Sequence, residues 1–282
     1  ARSISSGGRP APPELGFGRE VNTLGKALRD MRESLEGRHY AERYVQNLTH
    51  ELKSPLAAIK GASELMEEGM PEEDRQRFLT NIQNECDRSE QVIRQLLKLA
   101  ALEGKTHLEQ VEKVDLGELV REVAAECAPR ADQRGIRIEA KGACRVMGDR
   151  QLLRSAIENL VENAIDFSPD RGEVSVAVID GEGNKKGLVG VRVTDEGEGF
   201  PEFALGRVFE RFYSLGRPGS NRKGSGLGLS LVRETAELHG GRTEAENRHG
   251  DDTSGGEVTL WIAGGMKGSD EGAVSSSSAG KG

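Results

Sequence analysis

Residues 39–103 contain two stretches of similar length whose apolar side chains recur at spacings of three and four, a period that strands cannot use and helices require. In the first, Val45, Leu48, Leu52, Leu56 and Ile59 fall on one stripe at about 100° per residue. In the second the stripe is Ile82, Cys86, Ser89, Ile93, Leu96 and Ala100. Gly69-Met70-Pro71-Glu72 separates them, with Pro71 suited to open a new helix and acidic residues following in its first turn. The reading is an antiparallel hairpin, from about 39 to 68 and then to about 103. Two helices alone bury too little, so pairing of two hairpins into a four-helix bundle, and hence a homodimer, is expected.

On the first helix His50 lies opposite the apolar stripe, with Ser54 further round the same exposed face and Glu51 on a flank. Pro55 lacks the N–H that would bond the Glu51 carbonyl, so the helix should bend just past the histidine. A solitary exposed histidine is more often solvated and idle than reactive. Its meaning therefore depends on the rest of the chain.

With 39 Lys plus Arg against 47 Asp plus Glu, the formal charge of -8 gives no nucleic-acid footprint. Three widely spaced cysteines, Cys86, Cys127 and Cys144, fit neither a disulfide framework nor a zinc pattern and favour a reducing compartment. No apolar run reaches the roughly 18 residues of a membrane span. The first residue is Ala1 rather than Met, so the expectation is a fragment whose missing N-terminal region would carry any membrane part. Residues 1–19 read as a Gly-, Pro- and Ser-rich connector, and from 264 onward a Gly- and Ser-rich tail should be disordered. Val21, Leu24, Leu28, Met31 and Leu35 form either a short heptad seam or a plain amphipathic helix end.

After a connector at 104–113 the texture becomes mixed α/β. Helices are expected over 115–128, 149–167 with Asp149 as N-cap, and 227–239. Strands are expected over 136–140, 173–179, 188–194, 242–247 and 257–263, the second and third joined by the Gly-rich hairpin 180–187. Helices on one face of a mixed sheet make an α/β sandwich.

Four stretches there carry chemistry. Asn159 and Asn163 stand one turn apart on a helix face, where an amide oxygen beside phosphates would suit Mg²⁺, although two polar residues on a helix edge are also ordinary. Asp195-Glu196-Gly197-Glu198-Gly199 closes a strand; its first carboxylate could accept a bond from an exocyclic amine, and its glycines let backbone approach a flat base, although such a string is often only a turn. Gly224-Ser225-Gly226-Leu227-Gly228-Leu229 opens a helix whose free N–H groups suit phosphate. No strand runs directly into it, so a dinucleotide fingerprint is excluded; a basic segment, 214–223 with Arg217, Arg222 and Lys223, looks instead like a lid. Phe209-Glu210-Arg211-Phe212-Tyr213 holds three of the chain's eleven aromatics and reads as an anchor for that lid.

Taken in this order, the boxes at 50–56, 159–163, 195–199, 209–213 and 224–229 resemble those of a bacterial two-component sensor histidine kinase, over about residues 39–263. Residues 44–59 and 163–168 look most like CreC-type sensors within that family. Residues 21–35 with Glu14-Leu15-Gly16 are similar to the second helix of a HAMP signalling domain, and Ala1-Arg2-Ser3-Ile4 to the end of its first. The resemblance implies four regions: a HAMP-like remnant over 1–37, a dimerisation and histidine phosphotransfer domain over 38–104, a GHKL-type catalytic ATP-binding domain over 113–264, and the tail over 265–282.

The resemblance also implies roles. ATP would be held by Asn159, Asn163, Asp195, Gly197, Gly199, Arg211, Gly224, Gly226, Leu227 and Gly228, with Asn163 on Mg²⁺. His50 would take the phosphoryl group, with Glu51 fixing its tautomer, and pass it to an Asp of a response regulator, CreB-like if the subfamily holds. Ser54 would orient water in the reverse dephosphorylation. The setting implied is the cytoplasmic portion of an inner-membrane sensor. Asp166 departs from the family, where a basic residue near the phosphates is common; like-charge repulsion there would weaken nucleotide binding, and any compensation would have to come from Arg217, Arg222 or Lys223. Two alternatives are a GHKL-fold ATPase, which would not need the hairpin histidine, and a non-catalytic dimeric scaffold, in which one of the boxes should be degraded.

Overall fold

A computed structural model describes residues 46, 48–49, 51–67, 69–216, 224–249 and 254–264. His50, the 21–35 seam, the HAMP-like stretch, Arg217, Arg222, Lys223 and the tail from 265 lie outside the described residues. The chain separates into two units, Ala1–Cys86 and Asp87–Gly282.

In the first unit, residues 51–65 form helix α1, continuous through Pro55, with Ser54 exposed and Glu51 half-buried. Of the apolar stripe, Leu52 and Ile59 are half-buried, whereas Leu56 is 60% exposed. Helix α2, Glu72–Leu102, begins one residue after Pro71 with Glu72, Glu73 and Asp74 in its first turn, and runs on into the second unit. The negative charges oppose the positive end of the helix dipole.

The second unit is an α/β sandwich. Its order is β1 (Glu112–Asp115), α3 (Leu116–Asp132), β2 (Arg137–Lys141), β3 (Arg145–Gly148), α4 (Arg150–Phe167), β4 (Glu173–Asp180), β5 (Leu188–Thr194), α5 (Glu202–Leu205), α6 (Gly228–Leu238), β6 (Arg242–His249) and β7 (Ser254–Ala263). Five strands form one sheet in the order β2-β4-β5-β7-β6, and only the β2–β4 pair is parallel.

Strand alternation sets the two faces. Val174 and Val176, Val189, Val191 and Val193, and Val258, Leu260 and Ile262 turn inward and join Leu119, Val120 and Val123 of α3, Leu153, Ile157, Leu160 and Val161 of α4, and Val232 and Ala236 of α6 in one core. Each large aliphatic fully removed from water there contributes about 1.5–3 kcal/mol. On the other face Arg192 pairs with Glu257, and Trp261 donates from Nε1 to Glu244 at 2.8 Å with the Lys185 ammonium 4.8 Å from its ring centroid.

Two strands escape the sequence reading. Residues 112–115 and 145–148 pair as a separate antiparallel ribbon, β1 with β3, where a connector and no element were expected. Helix α3 outlasts its expected end at 128 because Pro129 sits near its C-terminal end, where few helical N–H bonds remain to be lost, and the helix continues to Asp132.

Candidate functional site

Helix α4 is fixed at both ends. Asp149 caps its start, accepting from the Gln151 and Leu152 N–H groups at 3.0 and 3.1 Å. At its other end Arg134 donates from Nη1 to the Ile165 carbonyl at 2.6 Å and from Nη2 to the Ser168 carbonyl at 2.7 Å, while its Nε pairs with Asp170 at 2.9 Å. A guanidinium fork suits these last carbonyls both geometrically and through the helix dipole.

Strand β5 ends at Thr194 and delivers Asp195 into a site where the residue is only 9% exposed. Its Oδ1 accepts from the Gly197 N–H at 2.8 Å and the Gly256 N–H at 3.1 Å. No hydrogen bond among the described residues reaches Oδ2. Burial raises the carboxyl's pKa, opposed by the two backbone donors and by Arg248. The carboxylate is thus oriented by one oxygen, leaving the other for a ligand.

Beside it lies a cavity lined by Leu160, Asn163, Ala164 and Phe167 of α4, Val193 and Asp195, Gly199 and Phe200, Leu215, Gly256 and Val258. Apolar walls with one buried acceptor and one amide suit a flat heterocycle with a polar substituent. Asn163 lines this space, and its carboxamide makes no hydrogen bond among the described residues. Among the described residues no three His, Cys, Asp or Glu side chains cluster for a metal. A cation here would take its one protein oxygen from Asn163 and the rest from ligand phosphates and water, which is acceptable to Mg²⁺.

The cavity therefore unites Asn163, Asp195 and Gly199, and leaves the other expected residues outside its wall. Gly197 supports it from behind: a Cβ there would stand 2.4 Å from the Phe167 carbonyl oxygen. Asn159 turns elsewhere. Its Nδ2 donates to the Ser155 carbonyl at 2.7 Å and its Oδ1 accepts from Gln95 of α2 at 3.2 Å. Ser225, inside the glycine run, donates to the Oε1 of the same Gln95 at 2.8 Å, and Lys98 donates to Ser155 at 2.9 Å. Gly228 lets α6 approach Asn159, whose Oδ1 would lie 2.9 Å from an added Cβ.

Gly226, at φ +67°, packs on the backbone of Phe212, whose N–H donates to the Gly226 carbonyl at 2.9 Å. Gly224 and Leu227 frame that turn, Leu227 being buried. Arg211 does not reach the cavity; it bridges Glu103 and Glu234 at 2.6 and 2.8 Å. Arg130 of α3 pairs with Asp166 at 2.6 Å, a partner the sequence reading did not name, while Arg217, Arg222 and Lys223 lie outside the described residues. Gln95, Phe200 and Asn247 carry no local sequence pattern and were missed as site residues. The Gly255-Gly256 pair, which lies inside β7 although the strand was expected only from 257, is the signal that could have found this close backbone approach: an added Cβ on Gly255 would collide with the Asp195 carbonyl oxygen.

Two family descriptions match the chain: His Kinase A (phospho-acceptor) domain over residues 41–105, and Histidine kinase-, DNA gyrase B-, and HSP90-like ATPase over 148–264. The chain belongs to the sensor histidine kinase family. Sensor protein CreC of Escherichia coli (strain K12) is 40% identical over 242 residues, covering 85% of this kinase chain and 49% of that protein. Sensor-like histidine kinase SenX3 of Mycolicibacterium smegmatis is 34% identical over 78% of the chain and 56% of its own length. The chain thus spans about half the length of these relatives. Among solved structures, full-length ShkA in complex with AMPPNP is similar with a TM-score of 0.54 at 25% identity, over 79% of this chain and 47% of that one. Histidine kinase ThkA in complex with response regulator protein TrrA shares the fold with a TM-score of 0.58 at 20% identity, over 88% of this chain and 68% of that one. Both the helical region and the α/β domain of this kinase chain therefore have counterparts in the family. No helix among the described residues is long and apolar enough to cross a membrane.

Proposed function

We propose that this chain is the kinase portion of a two-component sensor, which autophosphorylates His50 from ATP and passes the phosphoryl group to an Asp of a response regulator. One observation carries the reading: a buried carboxylate held through Oδ1 alone and an unbonded carboxamide share one apolar cavity. Asp195 Oδ2 accepts from the adenine amine. Leu160, Phe167, Val193 and Val258 exclude water from the base. Asn163 holds Mg²⁺, which when bound neutralises charge developing on the phosphates. The binding of AMPPNP by ShkA, a relative at 25% identity, supports an adenine nucleotide as the substrate.

Glu51 holds one nitrogen of the His50 ring, leaving the other a free lone pair for in-line attack on the γ-phosphoryl group. Ser54, exposed on the same helix, orients water for dephosphorylation of the regulator. Leu56, Leu65, Ile93 and Leu97 are left exposed on α1 and α2, and a second copy of the chain is the partner that covers such stripes in a four-helix bundle. Likeness to CreC makes a CreB-like regulator the first partner to test and supports a role for the chain as the cytoplasmic portion of an inner-membrane sensor.

The test is incubation with γ-labelled ATP and Mg²⁺. Acid-labile, base-stable label on the wild-type chain that disappears in His50→Gln supports the kinase. Label-free hydrolysis points to the ATPase alternative, and neither label nor hydrolysis to a scaffold.

A further inference from the structure

Gly256 and Asn247 are register partners across β7 and β6, and between them they hold both ends of the segment 195–200. At the first end Gly256 donates its N–H to Asp195 Oδ1 and accepts the Asp195 N–H at 3.0 Å. At the other end the Asn247 side chain holds Phe200 twice. The Phe200 N–H donates to Asn247 Oδ1 at 2.6 Å, and Asn247 Nδ2 donates to the Phe200 carbonyl at 2.7 Å. This reciprocal pair is what a neighbouring strand residue would exchange with Phe200; here a carboxamide does it for a residue outside the sheet. Gly199, at φ +74°, is held against the same oxygen, which an added Cβ would approach to 2.6 Å. The Phe200 ring in turn packs over Gly256 and lines the cavity that Asp195 enters.

We propose that Asn247 is a positioning residue for base recognition: its two-point hold on Phe200 fixes the wall of the cavity against which the base is presented to Asp195. The inference rests on the nucleotide reading of that cavity and names the residue that makes it selective for adenine. Asp195 at one end of the segment recognises the amine, while Asn247 at the other fixes where the ring lies relative to it. Losing the clamp lets residues 199–200 shift, so the distance from base to Oδ2 is no longer enforced. Both bonds are made within the protein, so the clamp acts through the cavity wall and not through phosphates.

The experiment measures binding of ATP and of inosine triphosphate, which carries an oxygen where adenine carries its amine, by titration calorimetry on the full 282-residue chain. Wild type, Asn247→Ala and Asn247→Asp are compared, with KM and kcat for autophosphorylation. Asn247→Ala should weaken ATP about tenfold, the scale of one to two lost hydrogen bonds, and inosine triphosphate less than twofold, with the loss appearing in KM rather than kcat. Asn247→Asp keeps the acceptor for the Phe200 N–H and should recover part of the selectivity; it also carries the test if the alanine variant does not fold. Equal weakening of both nucleotides, or unaltered ATP affinity in a folded variant, overturns the proposal. A wild-type chain that binds neither nucleotide overturns the nucleotide reading itself, an outcome distinguished from the others before any variant is made.

Discussion

His239 Nε2 accepts a hydrogen bond from the Asp149 backbone N–H at 3.0 Å, tying the end of α6 to the start of α4. Its Nδ1 lies 2.7 Å from the Thr235 carbonyl, which can only accept, so that nitrogen carries the proton and the ring is neutral. The glycine-run helix and the asparagine helix are thereby joined through one imidazole.

Burial pushes the His239 pKa below the ordinary 6.5, against the opposing influences of Thr235 and Asp149. With a folded value below the unfolded one, the unfolded chain takes up the proton first as pH falls. Stability from this site is therefore fully present above about pH 6.5 and is lost as pH drops below it. Thermal melts of the wild type should show a falling midpoint from pH 7.5 to 5.5. His239→Gln should start lower and show a shallower slope; a slope identical to wild type would assign the pH dependence to other groups.

Gln95 bonds both Asn159 and Ser225, so each must leave it before its bonded oxygen can turn to a ligand. Removing the bridge, worth about 1 kcal/mol net, should shift the population toward the released form. Gln95→Ala is expected to raise the initial rate of autophosphorylation by about threefold to tenfold. A rate that falls or stays constant would show that the bridge supports the active arrangement.

Helix α4 was legible because an Asp149 cap precedes an apolar repeat of helical period, and Asp195 because a strand runs into an Asp-x-Gly-x-Gly string. Strands β1 and β3 were not, since Glu112-Lys113-Val114-Asp115 and its partner are four residues each and pair only with one another. The salt bridge from Arg130 to Asp166 joins residues 36 apart on neighbouring helices, so no local pattern pointed to that arginine as the partner of the aspartate. Asn247 and Gln95 act through side chains reaching backbone or amides far along the chain, which no local period encodes.

Gly226→Ala tests the seam between the phenylalanine box and the glycine run. An added Cβ would stand 2.5 Å from the Phe212 carbonyl carbon, and the φ of +67° is itself strained for alanine. The expected loss is about 2–4 kcal/mol in denaturant unfolding, since backbone must move to admit the methyl. A variant as stable as wild type would mean that the two boxes separate at little cost.

Arg134 should resist even conservative replacement. Three nitrogens of one guanidinium serve two terminal carbonyls of α4 and the Asp170 carboxylate, which lysine cannot reproduce from a single ammonium. Arg134→Lys should cost about 1–2 kcal/mol, the scale of charge-assisted bonds to half-buried carbonyls. The Asp170 side chain is 76% exposed, so Asp170→Asn should stay within about 0.5 kcal/mol. If Asp170→Asn matched Arg134→Lys in denaturant unfolding, the surface pair and not the carbonyl cap would be what holds the end of α4 beside Phe167.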